Sequence, residues 1–549
     1  VVLAGSSLFH IPKIFFSKVF VMRDLQLPGR STVHSANGMA ATSHPLSTLA
    51  ALEVLRRGGN AVDAAVTACA VQCVVEPMST GIGGDCFALL APDGGPEVIG
   101  LNASGWAPKT LTAEHLLDQG VSAIPIQSPH AVSVPGAIDG WHMLLRDHGT
   151  IDLDQALQPA IGYAEDGFAI TPRVGVDWDR NVAKLSADAS AAAKYLNNGR
   201  APKAGEIWRL PELAETMRTV AKEGRDGFYK GRVAEDMVEY LASLGGCHAM
   251  DDFTEFAGEY VTPISTDYRG HTMWQIPPNG QGITALMMLN ILGDYDLTKM
   301  DPNSVERLHL ETEASRMAYA ARDRFVADQR QADVPVEHML SAEFAAEMRA
   351  QIKMDSAIEA PEATGPVYRD TIYMSVVDKD RNACSFINSL YMPFGSGLAS
   401  PKTGVMLQNR AAGFVVEPDH PNNVAPRKRP LHTIIPGMCT MDGKVAYCYG
   451  VMGGGYQPVG HAHVLTNLID YGMDPQESMD SPRVFHVAGR LDVERGLSED
   501  VMAGLSALGH EVGRPDMPWG GGQIIAVDWE NGTLAGGSDP RKDGLALGY

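Results

Sequence analysis

At residue 371 the hydrophobic pattern of this chain changes character. Residues 329–366 hold Pro335, Pro361, Pro366 and many charges, the composition of an exposed connecting segment. Past Thr371 the chain reads as short strands. Tyr373-Met374-Ser375-Val376-Val377 is followed by the polar turn Asp378-Lys379-Asp380-Arg381-Asn382 and then by Ala383-Cys384-Ser385-Phe386-Ile387. Two such runs around a polar turn predict a β-hairpin. The chain therefore divides into a lead-in over residues 1–30, a large unit over 31–370 and a small β-rich unit over 371–549.

The division has a chemical consequence. If the peptide bond between Asp370 and Thr371 is cut, Thr371 becomes a chain end carrying a hydroxyl and an α-amine on one residue. An α-amino group titrates near pH ~8, close to where a general base works best, and such an amine activates a threonine hydroxyl. The plain alternative is a strand threonine, since β-branched residues favour strands.

Upstream, from Gly38, strand and helix signals alternate. Ser43-His44-Pro45 predicts a helix start with Pro in its first turn, running to Arg57 and stopped by Gly58-Gly59. Asn60 caps a second helix over 61–75, apolar nearly all round and so expected to be buried. The turn Thr80-Gly81-Ile82-Gly83-Gly84-Asp85 leads into a strand over 86–90. It lacks the Lys-Ser/Thr ending of a phosphate loop and precedes a strand rather than a helix, so it reads as a packing turn. Residues 110–260 read as mostly helical, Ser304 opens a long helix to Val326, and helical character returns over 459–471.

A net charge of −22 repels phosphate backbones, so nucleic acid is not an expected partner. The seven cysteines are irregularly spaced and form no paired zinc pattern. Cys69 and Cys73 share a helix face and read as core residues. This usage suits a reducing compartment. The apolar stretch 10–22 is broken by Lys13 and Lys18 and is too short to span a bilayer. A cytoplasmic location without membrane contact is expected, or a periplasmic or secreted one if that stretch is a degenerate signal peptide. His461 and His463 lie two apart, which on a helix puts them on different faces. No metal and no cofactor are expected.

The motifs themselves carry a resemblance. Gly38-Met39-Ala40-Ala41-Thr42-Ser43-His44-Pro45, Gly58-Gly59-Asn60-Ala61-Val62-Asp63-Ala64-Ala65, Glu76-Pro77 with the glycine turn, Pro277-Pro278-Asn279-Gly280-Gln281-Gly282, the run Thr371 to Asp378, Lys428-Arg429-Pro430-Leu431, Gly453-Gly454-Gly455 and Ser538-Asp539-Pro540-Arg541 occur in this order. Together they resemble the γ-glutamyltransferase family of N-terminal-nucleophile hydrolases over residues 38–549. The resemblance implies an α+β fold, a four-layer αββα sandwich. It also implies an inactive precursor that cuts itself between Asp370 and Thr371, with both chains staying associated. By the same resemblance Thr371 is the nucleophile and Ser389 the hydroxyl that hydrogen-bonds it. Gly453 and Gly454 are implied as the oxyanion-hole pair, a role that needs N–H groups aimed at the oxygen gaining charge and glycine's close backbone approach.

The substrate pocket departs from the family pattern. Ser104 stands where typical members place an arginine for the glutamyl α-carboxylate. Gly413 stands where they place an acidic residue for the α-amino group, shortly after Asn409-Arg410. Tyr391 replaces an asparagine, and His432-Thr433 a serine pair. An ammonium without an acidic partner is costly to desolvate, whereas the guanidinium fork of Arg410 suits a carboxylate. The substrate-binding set expected is therefore Arg410, Asn409, Tyr391, His432 and Thr433. The expected function is a self-processing threonine amidohydrolase acting through an acyl-enzyme on a small carboxylate-bearing amide, with oxamate as the model substrate. The alternatives are a γ-glutamyltransferase or glutathione hydrolase, a glutaryl- or cephalosporin-type acylase, and a non-catalytic relative.

Overall fold

The computed structural model describes residues 29–359 and 371–549. Most of the lead-in and Asp370 of the expected cleavage site lie outside the described residues. The strand Ile372–Val377 shows how the architecture is specified. All six of its residues are buried, and they alternate between two different cores. Ile372, Met374 and Val376 point into one that is shared with helices, while Tyr373 and Val377 point into one shared with a second sheet. The strand Asp85–Ala91 behaves identically, with Cys86, Ala88 and Leu90 on one side and Phe87, Leu89 and Ala91 on the other. A period-2 run that is apolar on both faces can only be satisfied by a sheet covered on both sides.

Two seven-stranded sheets supply that environment. One runs Leu545–Gly548, Met39–Thr42, Ile372–Val377, Ala383–Ser389, Asp85–Ala91, Ile99–Ala103, Glu259–Val261. The other runs Val33–Ser35, Thr533–Ser538, Gly521–Asp528, Lys444–Met452, Gly437–Met441, His271–Gln275, Ile264–Tyr268. Helices Pro45–Arg56, Ala61–Val75 and Leu153–Asp166 cover the outside of the first sheet. Helices Gly282–Leu292, Val305–Phe325 and Gln457–Ile469 cover the second. The result is the four-layer αββα arrangement. In both sheets, strands from before and after residue 371 are interleaved.

The helix signals are realised closely. His44 caps Pro45–Arg56 through its side chain. Asn60 and Asp63 form a reciprocal capping box on Ala61–Val75, every residue of which is buried. Ser304 caps Val305–Phe325. The hairpin also forms: Ile372–Val377 pairs antiparallel with Ala383–Ser389, and the Asp378 side chain accepts from the amides of Asp380 and Asn382. One expectation fails. The described part of the connecting segment, 329–359, is not an exposed linker. It forms short helices at Val336–Met339 and Ala342–Arg349, and its Met339 and Met348 are buried in the second helical core. Most of its charges occupy the solvent side, while a few apolar residues face inward. Among the described residues no helix is long and apolar enough to cross a membrane.

Candidate active site

Register brings the first two site residues together. Ile372 pairs with Asn388, so Thr371, one residue before, lies opposite Ser389, one residue after. Their hydroxyl oxygens are 3.0 Å apart, fully buried. Ser389 Oγ also accepts from the Tyr391 amide at 2.9 Å. Both neighbours of this serine hold unfavourable backbone angles, φ 154° at Thr371 and φ 81° at Tyr391. Such conformations cost a branched or bulky residue on the order of 1–3 kcal/mol each. The angle at Thr371 is defined only while residue 370 is attached, so cutting that bond abolishes the constraint.

A wall of polar groups continues from Tyr391. The Arg410 guanidinium stacks on the Tyr391 ring, 4.0 Å from its centroid, and donates from Nη1 to Thr433 Oγ1 at 2.8 Å. His432 is turned away from this wall. Its Nε2 bonds Asp85 Oδ2 at 3.0 Å and its Nδ1 accepts from the Ile434 amide. Asp85 is itself held by the amides of Gly105 and Gly136 and by Gln408 Nε2. Burial, reinforced by the nearby Arg410 charge, pushes the His432 ring down to about 3. The neutral ring therefore donates from Nε2 to Asp85.

The glycine loop is tied to this wall through one side chain. Gly453 has φ 120° and Gly454 φ 57°. A Cβ on Gly453 would stand 2.9 Å from the Gly520 backbone, so glycine is required there. Gln281 Nε2 donates to Thr433 O and to Gly454 O, at 2.8 and 3.0 Å, joining this loop to the Arg410–Thr433 wall. Next to these groups opens a cavity of about 320 Å³ whose lining includes Tyr391, Gly413, Phe414, Thr433, Gly455 and Phe485.

The chain as a whole has known counterparts. The family model described as Gamma-glutamyltranspeptidase matches residues 47–549. The chain belongs to the gamma-glutamyltranspeptidase family. A glutathione hydrolase-like proenzyme of Bacillus subtilis (strain 168) is 37% identical over 522 residues, covering 93% of this chain and 98% of that one. The oxamate amidohydrolase proenzyme of Klebsiella pneumoniae is 35% identical over 538 residues, covering 94% and 100%. The crystal structure of cephalosporin acylase from Bacillus halodurans superposes with a TM-score of 0.90 at 38% identity, covering 96% and 99%. The family's members are N-terminal-nucleophile hydrolases made as proenzymes, and this chain is a hydrolase of that kind.

Within that family frame the expected site residues fall into two groups. Thr371, Ser389, Tyr391, Arg410, Thr433, Gly453 and Gly454 are linked around one place by the contacts above. Asn409 and His432 are not directed at it. The Asn409 side chain accepts from the Met392 amide and donates to Ile126 O, and both His432 nitrogens are used within the protein. Each is a buried polar side chain spent on fixing backbone. Ser104 accepts from Asn279 Nδ2. Tyr391 OH lies 3.5 Å from the point where a Cβ at Gly413 would stand, so the phenol fills space that a side chain at 413 would need. Asp85 and Gln281 are the polar residues the motifs contained without revealing their roles. Among the described residues one trio brings ligand-type atoms together, His309, Glu313 and His510. His309 Nδ1 bonds His510 Nε2 at 2.7 Å, His309 Nε2 bonds Lys353 O, and Glu313 is held by Arg316 and the Ile358 amide. These mutual bonds account for the arrangement as a fastening for residues 353–358.

Proposed function

We propose that this chain is the precursor of a threonine amidohydrolase that severs its own Asp370–Thr371 bond and then uses Thr371 on a carboxylate-bearing amide. The observation that carries the reading is the hydroxyl pair Thr371–Ser389 at 3.0 Å, set beside an arginine held in place by Tyr391 and Thr433. In the first step the Thr371 hydroxyl attacks the amide carbonyl and gives its proton to its own α-amine. The glycine loop at 453–454 faces the oxygen that gains charge, the amine leaves with the proton, and water then clears the ester. Thr433 Oγ1 accepts from Arg410, so its own hydrogen is left to donate to a substrate carboxylate, with the arginine charge behind it. Interleaved strands hold the two chains together after cleavage.

Oxamate represents the small end of this substrate class, and the likeness to an oxamate amidohydrolase supports it. A second reading is an acylase-type amide with a bulkier portion. The cavity volume of about 320 Å³ favours it, because that size is typical of pockets that enclose larger ligands. The deciding experiment offers the processed protein oxamate, glutaryl-p-nitroanilide and γ-glutamyl-p-nitroanilide. Release of ammonia from oxamate or p-nitroaniline from the glutaryl compound is expected, with little from the γ-glutamyl compound. Thr371→Ala is expected to remain one band of 58.8 kDa without turnover. Fast γ-glutamyl hydrolysis with the others ignored would refute the substrate assignment, and an intact but active chain would refute the mechanism.

A further inference from the structure

Gln281 occupies an unusual position between the two halves of the site. It follows the Pro277-Pro278-Asn279-Gly280 turn and precedes the helix Gly282–Leu292. Its backbone amide donates to His432 O at 2.8 Å. Its side-chain nitrogen reaches two carbonyls on separate segments, Thr433 O and Gly454 O. Its side-chain oxygen accepts from Arg322 Nη1 at 2.9 Å. Arg322 is in turn paired with Asp323 and stacked 4.5 Å over the Tyr319 ring. The amide orientation is settled by these partners: the nitrogen faces two acceptors and the oxygen faces a donor that is always charged.

Peptide planarity turns this into control over the glycine loop. In a trans peptide the C=O and the following N–H point in opposite directions. Gly453 O is held by the Tyr456 amide at 3.0 Å, which fixes the direction of the Gly454 N–H. Gly454 O is held by Gln281, which anchors in place the residue that carries the second of the two donors. Gly455 O is held by the Tyr319 hydroxyl. At residues with φ of 120° and 57° the intrinsic barriers to plane rotation are low, so external ties must set these planes. Of these ties, Gln281 also binds Thr433, and it thereby sets the spacing between the glycine N–H groups and the Arg410–Thr433 wall.

We propose that Gln281 is a positioning residue for the oxyanion-binding glycines, backed by Arg322. This rests on the reading of Thr371 as nucleophile and of 453–454 as the oxyanion site. Gln281 touches no reacting atom; it holds the donors where the developing charge will be. Misplacing such groups by about 1 Å costs up to roughly a hundredfold in rate.

The test uses the full-length, self-processed protein and compares wild type with Gln281→Met, which keeps length but removes both donors, and Gln281→Glu, which keeps the Arg322 contact but opposes two carbonyls with a carboxylate. The activity readout is whichever of oxamate and glutaryl-p-nitroanilide the wild type hydrolyses. A fall in kcat of about tenfold to a hundredfold with KM changed less than about threefold is expected. Phenylboronic acid, which forms a tetrahedral anionic adduct on a nucleophilic hydroxyl, is expected to bind more weakly by a similar factor. Binding of the product acid, oxalate or glutarate, is expected to stay within about threefold. Should Gln281→Met fail to self-process, Arg322→Met leaves both donors in place and is expected to show the same split with a smaller fall. An unchanged kcat, or equal losses of boronate and product binding, overturns the positioning role. Absence of any boronate adduct on wild-type Thr371 by mass spectrometry overturns instead the reading on which it rests.

Discussion

Replacing Arg410 separates charge recognition from pocket shape. Its Nη1 is 2.8 Å from Thr433 Oγ1, and Thr433 lines the cavity. A carboxylate that accepts the Thr433 hydrogen at an O···O distance of about 2.7 Å therefore sits roughly 5 Å from the guanidinium. At an effective dielectric of about 20, unit charges at that separation attract by about 3 kcal/mol. Water entering the open cavity reduces this to about 2 kcal/mol, a factor of about thirty in kcat/KM. Arg410→Met removes the charge and keeps apolar contact with Tyr391. Arg410→Lys keeps the charge and loses the planar stack. The assay follows p-nitroaniline release from glutaryl-p-nitroanilide and from its uncharged pentanoyl analogue. Met is expected to lower kcat/KM about thirtyfold on the first and less than about threefold on the second, with Lys intermediate. The melting temperature should not fall much, because replacing a buried charge by an apolar side chain of similar volume is often neutral. Equal losses on both substrates would refute carboxylate recognition, as would Lys performing no better than Met on the charged one.

Ser389→Ala removes the hydroxyl beside Thr371 and leaves the Tyr391 amide without its acceptor; self-cleavage and turnover are each expected to slow about tenfold to a hundredfold, measured by gel time course and steady-state rate, and rates within about twofold of wild type would contradict the role. Gly453→Ala meets the Gly520 backbone at 2.9 Å and requires φ 120°; a loss of activity exceeding about a hundredfold is expected, against which near-wild-type turnover would count. His432 and His461 are buried and held down to about 3 in the folded protein, well below the ordinary histidine value. The unfolded chain therefore binds these protons first as pH falls. Their contribution to stability is complete above about 6.5 and is lost progressively from there down toward about 3, at up to ~1.4 kcal/mol per pH unit for each ring. The urea midpoint should accordingly drop between about pH 7 and about pH 5, a range above most carboxylate titrations; a flat midpoint there would contradict neutral burial.

How far the chain could be read in advance differs between fold and site. The all-round apolar run at 61–75 with Asn60 before it, the hairpin around Asp378–Asn382 and the helix behind Ser304 are local patterns, and they appear within a residue or two of where the pattern places them. The composition of 329–366, with its prolines and many charges, points to an exposed linker, while the positions that decide the packing of its described part, Met339 and Met348, are few and face inward. His432 and Thr433 stand where the family has a serine pair, and that correspondence places both in the expected pocket. The structure turns the His432 ring to Asp85, far away in sequence, a partner that no spacing rule could supply.

The alternation of apolar residues after Thr371 is enough to predict a β-hairpin there, and the order of the glycine motifs carries the family resemblance that implies a double-sheet hydrolase with Thr371 as its nucleophile. Those features depend on short-range periodicity and on residue chemistry, both of which a linear string contains. The direction of each polar side chain was decided only by tertiary structure. Arg410 gains its place by stacking on Tyr391, and Gln281 bridges Thr433 and Gly454 across separate segments. Buried donors and acceptors must find partners wherever the packed layers put them, and for this site those partners lie up to hundreds of residues away along the chain.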